Sequence, residues 1–298
     1  MITGSTQLAA LIGSPVRHSL SPTILNAAFA AVDADWVFLV FDVPSGHGAQ
    51  AMAAVRELGI GGLSVTMPHK AAVHDAVDER TPVASALGAV NCVSWRGDRL
   101  VGDNTDGAGF VDALRLDEGV DPAGLRCVVV GAGGAGRAVA LVLGEAGAAD
   151  VAIVNRSPEP AARAAILAGE RGRVGTPADV AKADLVVNAT PLGMGVVTGT
   201  DGTPEPLPVD PAALHPGQVV VDLIYHPATT PLLAAARDQG AVAVNGLGML
   251  IHQAAHGFRR WTGEDPPLEA MSAAAVVELT RRGRAQARPG PSGRQRSC

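Results

Sequence analysis

Two residues with the chemistry to share a proton follow two strand-like runs within the first 106 residues of the chain. Lys70 closes Val65-Thr66-Met67-Pro68-His69-Lys70, and Asp106 stands in Gly102-Asp103-Asn104-Thr105-Asp106-Gly107. The first segment reads as a strand end opening into a helix, with Pro68 at the first helical position, where a missing N–H would be unpaired anyway. Lys70 then lies in the first helical turn, where the helix dipole disfavours its charge. Partial burial would lower its pKa further and a nearby carboxylate would raise it. A lysine balanced in this way exchanges a proton near neutral pH. Taken singly, Lys70 reads as a solvated helix residue and Asp106 as the N-cap of the helix that follows.

A second chemical feature is the turn Gly131-Ala132-Gly133-Gly134-Ala135-Gly136, which follows the apolar run Cys127-Val128-Val129-Val130 and opens a helical pattern. In that context the three spaced glycines have separate uses. Gly131 permits the tight turn, Gly133 lets backbone approach a pyrophosphate, and Gly136 lets helix and strand pack closely. Free N–H groups and the helix dipole then face the phosphates of a dinucleotide. The next strand ends at Asn155-Arg156-Ser157, where an acidic residue would hold the 2′-hydroxyl of NAD. The donors and positive charge found there instead suit the 2′-phosphate of NADP. Glu159, close by, would blunt that preference.

These residues need elements to hold them. Strand-like runs at Leu8–Ile12, Trp36–Phe41 and Leu63–Thr66 alternate with helical patterns at Pro22–Val32, Ala49–Leu58 and Ala71–Val77. That order predicts a mainly parallel α/β sheet. Ala89–Trp95 and Arg99–Gly102, separated by Arg96-Gly97-Asp98, read as a hairpin on an antiparallel edge. Gly107–Leu116 reads as a connecting helix.

A second series follows, with strands at Arg126–Val130, Asp150–Asn155, Leu185–Asn188, Val219–Asp222 and Ala241–Val244. Its helices fall at Ala135–Ala146, Pro160–Ala168 and Pro231–Gln239, a doubly wound nucleotide-binding pattern. The helical segments Gly248–Trp261 and Leu268–Leu279 have no strand after them and are expected to fold back on the first half. The expected organisation is a substrate domain over 1–106 completed by helices within 247–282, and a Rossmann-like dinucleotide domain over 107–246. An Arg-rich, disordered tail is expected over 283–298.

Composition bounds the rest. Of 298 residues, 47% are hydrophobic and only 3% aromatic, so the cores must be built from Ala, Val, Leu and Ile. Such cores suit parallel sheets covered by helices. The net charge of −6 leaves no electrostatic footprint for nucleic acid, and an anionic substrate would need a local cation to bind against that field. Three scattered cysteines, Cys92, Cys127 and Cys298, make no disulfide framework. With no apolar run of membrane length, a cytoplasmic protein is the expectation. His252 and His256 share a helix face but lack a third ligand, so no metal site is expected.

Read in order, the segments form a longer series. It starts with Gly13-Ser14-Pro15-Val16-Arg17-His18-Ser19-Leu20-Ser21-Pro22 and Asn26, then the Lys70 segment, Asn91, Asn104-Thr105-Asp106-Gly107, the glycine turn and Asn155-Arg156-Ser157. Asn188-Ala189-Thr190-Pro191-Leu192-Gly193-Met194, Asp222-Leu223-Ile224-Tyr225 and Asn245-Gly246-Leu247-Gly248-Met249-Leu250 with Gln253 complete it. This series resembles the shikimate dehydrogenase family over nearly everything up to Gly263.

The resemblance implies reversible reduction of 3-dehydroshikimate to shikimate with NADPH, a step of aromatic amino acid biosynthesis, by a monomer or homodimer. It implies that Ser19 and Ser21, helped by Tyr225, bind the substrate carboxylate. Thr66, Asn91, Asp106 and Gln253 would bind the ring hydroxyls or ketone, with Lys70 and Asp106 as the catalytic pair. Gly131, Gly133, Gly134, Ala135, Gly136, Asn155, Arg156, Ser157, Thr190, Leu223, Gly246 and Met249 would hold the cofactor. Leu25, Ser64 and Asp103 depart from the family pattern, and Asp103 would place a second carboxylate near Asp106. Quinate as a further substrate, NAD use, and a silent dinucleotide- or shikimate-binding protein stay open as alternative readings.

Overall fold

A computed structural model describes residues 2–194 and 206–286, which fold around two six-stranded sheets. The first is built from β1 (Gln7–Gly13), α1 (Ser21–Ala31), β2 (Trp36–Asp42), α2 (Gly48–Glu57), β3 (Gly62–Val65) and α3 (Lys70–Ala76). It continues through β4 (Glu79–Arg80), α4 (Pro82–Leu87), β5 (Cys92–Arg96) and β6 (Arg99–Asp103). Strand order is β2-β1-β3-β5-β6-β4, with β5 antiparallel to both neighbours and the remaining pairs parallel. The hairpin therefore lies inside the sheet, and the two-residue strand β4 forms the edge predicted for it.

Register in this sheet decides where the chemistry sits. Ile12 pairs with Val65, Ser64 with Cys92, and Cys92 with Asp103. The ends of β1, β3 and β6 and the start of β5 thus meet along one rim. Because β5 runs against its neighbours, that rim receives Asn91 together with the loops carrying Ser19, Thr66 and Asp106.

The second sheet follows α5 (Asp106–Asp112), whose last turns widen into a π-helical segment at Ala113–Asp117. It comprises β7 (Arg126–Val130), α6 (Gly134–Glu145), β8 (Asp150–Val154), α7 (Pro158–Leu167), β9 (Gly172–Val174), β10 (Leu185–Asn188), β11 (Val219–Asp222), α8 (Pro231–Asp238) and β12 (Val242–Asn245). All pairs are parallel, in the order β12-β11-β10-β7-β8-β9. The central strands are apolar on both faces, as a sheet covered by helices on both sides requires. Strand order reverses between β7 and β10, and ligands of open α/β sheets bind outside the strand ends at such a switch point. Gly131 and Thr190 follow those two strand ends.

The chain closes with α9 (Leu247–Thr262) and α10 (Leu268–Gln286). Both return to the first half, where Phe258, Trp261, Met271 and Ala275 share a core with β1, α1 and β2. Phe258 is fully buried and packs against Phe29 with the rings tilted by 30° and their centroids 5.4 Å apart. Trp261 donates its ring N–H to the Val93 carbonyl at 3.0 Å. Burial of a side chain such as Phe258 contributes about 1.5–3 kcal/mol, which is enough to hold a terminal helix in place.

Helix α10 runs to Gln286, past the Leu279 limit expected of it and into the stretch expected to be a tail. Glu278 stabilises that extension by accepting hydrogen bonds from Arg281 and Arg282 one turn on. The rest of the expected tail, 287–298, and Cys298 with it, lie outside the described residues. Cys92 and Cys127 are buried, and burial pushes both thiols up to about 12.

Candidate active site

Lys70 is the first residue of α3, and Pro68 stands before the helix rather than at its first position. The turn between them is anchored by His69, which is buried and donates its Nε2–H to the Val43 carbonyl at 2.8 Å. Lys70 Nζ lies 2.5 Å from Asp106 Oδ2. Asp106 Oδ1 accepts from the amide of Asn91 at 2.7 Å, and its backbone N–H donates to Asn104 Oδ1 at 3.1 Å. Both carboxylate oxygens are thereby engaged, and neither caps α5. The N-cap reading of Asp106 is corrected, because two partners from other elements claim the oxygens that a cap would use.

Asn91 is fixed in turn. Its Oδ1 accepts from the Thr105 N–H at 2.8 Å, and Thr105 Oγ1 donates to the Gln253 carbonyl at 3.1 Å. Asp103 does not crowd this pair. It points to Arg260, to Thr81 Oγ1 at 2.5 Å and to the Asn104 N–H, so its charge is neutralised within its own cluster.

A cavity of about 370 Å³ opens beside the pair. Ser19, Ser21, Thr66, Lys70, Asn91, Asp106, Tyr225 and Gln253 all line it. Ser19 Oγ donates to Ser21 Oγ at 3.1 Å and accepts the Ser21 backbone N–H at 3.1 Å, so it also satisfies the first turn of α1. Tyr225 is partly buried, and burial raises its pKa against an opposing pull from Arg282. At neutral pH its hydroxyl is therefore a neutral donor. Gln253 donates its side-chain amide to the Leu250 carbonyl at 2.9 Å. A second cavity of about 300 Å³ between α5, β12, α9 and α10 holds neither Lys70 nor Asp106, so proton chemistry belongs to the first.

Ala135, Leu223 and Gly246, from the half built on the second sheet, and Met249 at the start of α9 form the far wall. Behind it, Gly131 has φ +103°, a left-handed conformation that glycine adopts without strain. A Cβ at Gly136 would sit 2.0 Å from the Gly131 carbonyl oxygen, so the helix can start this close to the strand only without one. Gly133 and Gly134 face open space, and no side chain caps α6. A row of N–H groups at a helix start with room in front of it fits a pyrophosphate.

The adenosine end fits as well. Asn155 accepts from the Ala132 N–H at 3.3 Å and donates to the Ser157 carbonyl at 2.9 Å. Arg156 is exposed and has no ion-pair partner among the described residues. Glu159 is ion-paired with Arg163 one turn further along α7.

Asn188 and Asp222 were not among the expected site residues, although their segments were noted. Both are fully buried and bonded to each other at 3.0 Å. Asn188 Oδ1 also accepts from Thr190 Oγ1 at 2.7 Å, while Asp222 accepts from the Ile224 N–H and from Thr230. One buried pair thus pins both the Thr190 loop and the Leu223–Tyr225 segment. Burial raises the Asp222 pKa, opposed by these donors. Polar residues in consecutive strand ends were the available signal. His252 and His256 turn to Asp117 and Asp112.

Family models match two stretches of the chain. The shikimate dehydrogenase substrate binding domain covers residues 11–93, and the shikimate 5′-dehydrogenase C-terminal domain covers residues 246–276. The shikimate dehydrogenase (NADP+) of Moorella thermoacetica is 44% identical over 283 residues, covering 91% of this chain and 92% of the relative. A crystal structure of a shikimate dehydrogenase with NADP+ superposes with a TM-score of 0.85 at 35% identity, covering 94% and 98% of the two chains. The Thermus thermophilus shikimate 5-dehydrogenase, solved with NADP(H) and shikimate, gives 0.81 at 34% identity, covering 91% and 99%.

Proposed function

The chain belongs to the shikimate dehydrogenase family, and from that membership we propose that it interconverts 3-dehydroshikimate and shikimate using NADP. The observation that carries the proposal is the Lys70–Asp106 pair, 2.5 Å apart, on the wall of a cavity that also exposes Ser19, Ser21 and Tyr225. The hydroxyls suit a carboxylate, and the pair suits a ketone or alcohol in the same molecule.

When bound, NADPH supplies a hydride to the substrate ketone. The glycine turn would hold its pyrophosphate and Arg156 its 2′-phosphate, while Thr190, Leu223, Gly246 and Met249 would hold the nicotinamide end. As negative charge grows on the ketone oxygen, Lys70 donates a proton from Nζ. Asp106 keeps that amine oriented, and Asn91 keeps the carboxylate from turning away. General acid catalysis of this kind is worth roughly 10²–10⁴-fold. In the reverse direction Lys70 takes the proton from the substrate hydroxyl.

Among the described residues no helix is long and apolar enough to cross a membrane. We infer a cytoplasmic enzyme with a small-molecule substrate, monomeric or homodimeric. Purified protein given shikimate and NADP should generate NADPH absorbance. Absence of any signal from neutral to alkaline pH would leave a silent binding protein as the better reading.

A further inference from the structure

We propose that Arg282, near the end of α10, is a positioning residue for the substrate carboxylate, holding the β1–α1 loop that carries Ser19 and Ser21 and lending it positive charge. The inference rests on the shikimate reading above. Arg282 Nη1 donates to the His18 carbonyl at 2.5 Å, and Nη2 donates to the Ser19 carbonyl at 3.3 Å. A helix 263 residues further along the chain therefore grips the loop at the residue whose hydroxyl faces the cavity. The guanidinium fork spans two successive carbonyls, which a flexible ammonium could not do with fixed geometry.

The charge balance around Arg282 favours an anion. Its Nε donates to Glu278 Oε1 at 2.7 Å, but the same carboxylate also accepts from Arg281 at 2.7 and 2.8 Å. One carboxylate faces two guanidinium groups, and a positive charge is left over beside the loop. At the other end of the cavity the charge of Lys70 is matched by Asp106. A chain of net charge −6 repels an anionic substrate, so an uncancelled cation near the two serines sets where the carboxylate end enters. The Arg282 side chain is only 26% exposed, so its field is screened less than that of a free surface arginine. Arg282 pulls against the burial-driven rise of the Tyr225 pKa, and Tyr225 lines the same cavity as Ser19.

The test compares wild type, Arg282→Ala, Arg282→Lys and Arg281→Ala in the full chain by calorimetric titration with shikimate and by steady-state kinetics. Arg281 shares Glu278 but does not touch the loop, so its variant should lose only the surplus charge and weaken shikimate binding less than Arg282→Ala does, with kcat unchanged. Arg282→Ala should weaken shikimate binding about tenfold, the scale of lost charge-assisted hydrogen bonds, with KM rising in parallel. Its kcat and its KM for NADP should stay within about twofold, and Arg282→Lys should recover part of the loss. Raising salt should weaken shikimate binding more in wild type than in Arg282→Ala. Unchanged shikimate affinity in Arg282→Ala, or equal losses for shikimate and NADP, would overturn the inference while leaving the enzyme reading intact. Failure of wild type to bind shikimate would overturn both.

Discussion

Lys70 faces the cavity with its amine on Asp106, and Asp106 is held in turn by Asn91. A group so placed contributes to the transition state more than to binding. Lys70→Ala should therefore lower kcat by about 10²–10⁴-fold while changing shikimate affinity far less. A pure KM effect would reduce Lys70 to a binding residue. Arg156 makes the opposite kind of contribution. Exposed and without an ion-pair partner among the described residues, it should matter only to the 2′-phosphate, so Arg156→Ala should raise KM for NADP about tenfold or more and leave NAD nearly unchanged. Equal losses for both cofactors would refute phosphate recognition. Residue type and spacing put Lys70, Asp106 and Arg156 forward as candidates, while Asn91 entered only through the resemblance to the family. The pairing came only from the resemblance to the family, because Lys70 and Asp106 are 36 residues apart and the local alternatives, a solvated lysine and a helix cap, are each physically sound. The pairing of Asp103 with Arg260, 157 residues away, was not legible.

Helices α5 and α9 set the positions of these residues. A Cβ at Gly109 would lie 2.5 Å from the Gln253 backbone nitrogen and 2.8 Å from its Cα, so the helices touch backbone to backbone there. Gly109→Ala should force them apart, costing about 1–3 kcal/mol of stability, and should raise KM for shikimate as Gln253 and Asp106 separate. A lowered Tm with unchanged KM would mean that this contact supports the fold without tuning the site. Most elements could be read from periodicity, since apolar runs of four to seven residues alternate with helical patterns along both halves. The exceptions have physical causes. Strand β4 is two residues long and carries no pattern, yet it displaces the hairpin from the sheet edge. Strand β9 is three residues long and is secured by Arg173, which bridges Asp150 and Asp179. The last turns of α10 depend on ion pairs and on the distant loop at His18, neither of which periodicity reports.

At the scale of the molecule, two sheets built by the same α/β logic present their functional edges to one cavity. The first supplies polar side chains at the rim made by β1, β3, β5 and β6, and the second supplies backbone N–H groups at the switch between β7 and β10. Neither half completes the site, since Lys70 and Asp106 face walls formed by Ala135, Leu223 and Met249. Substrate and cofactor choice are therefore joint properties, and they are best read together. Initial rates with shikimate and with quinate, each paired with NADP and with NAD, address the central claim directly. The expected result is the highest kcat/KM for shikimate with NADP, with the NAD and quinate combinations each lower. Equal or faster turnover with NAD, or with quinate, would contradict the assigned specificity, and no turnover in any combination would contradict the enzyme itself.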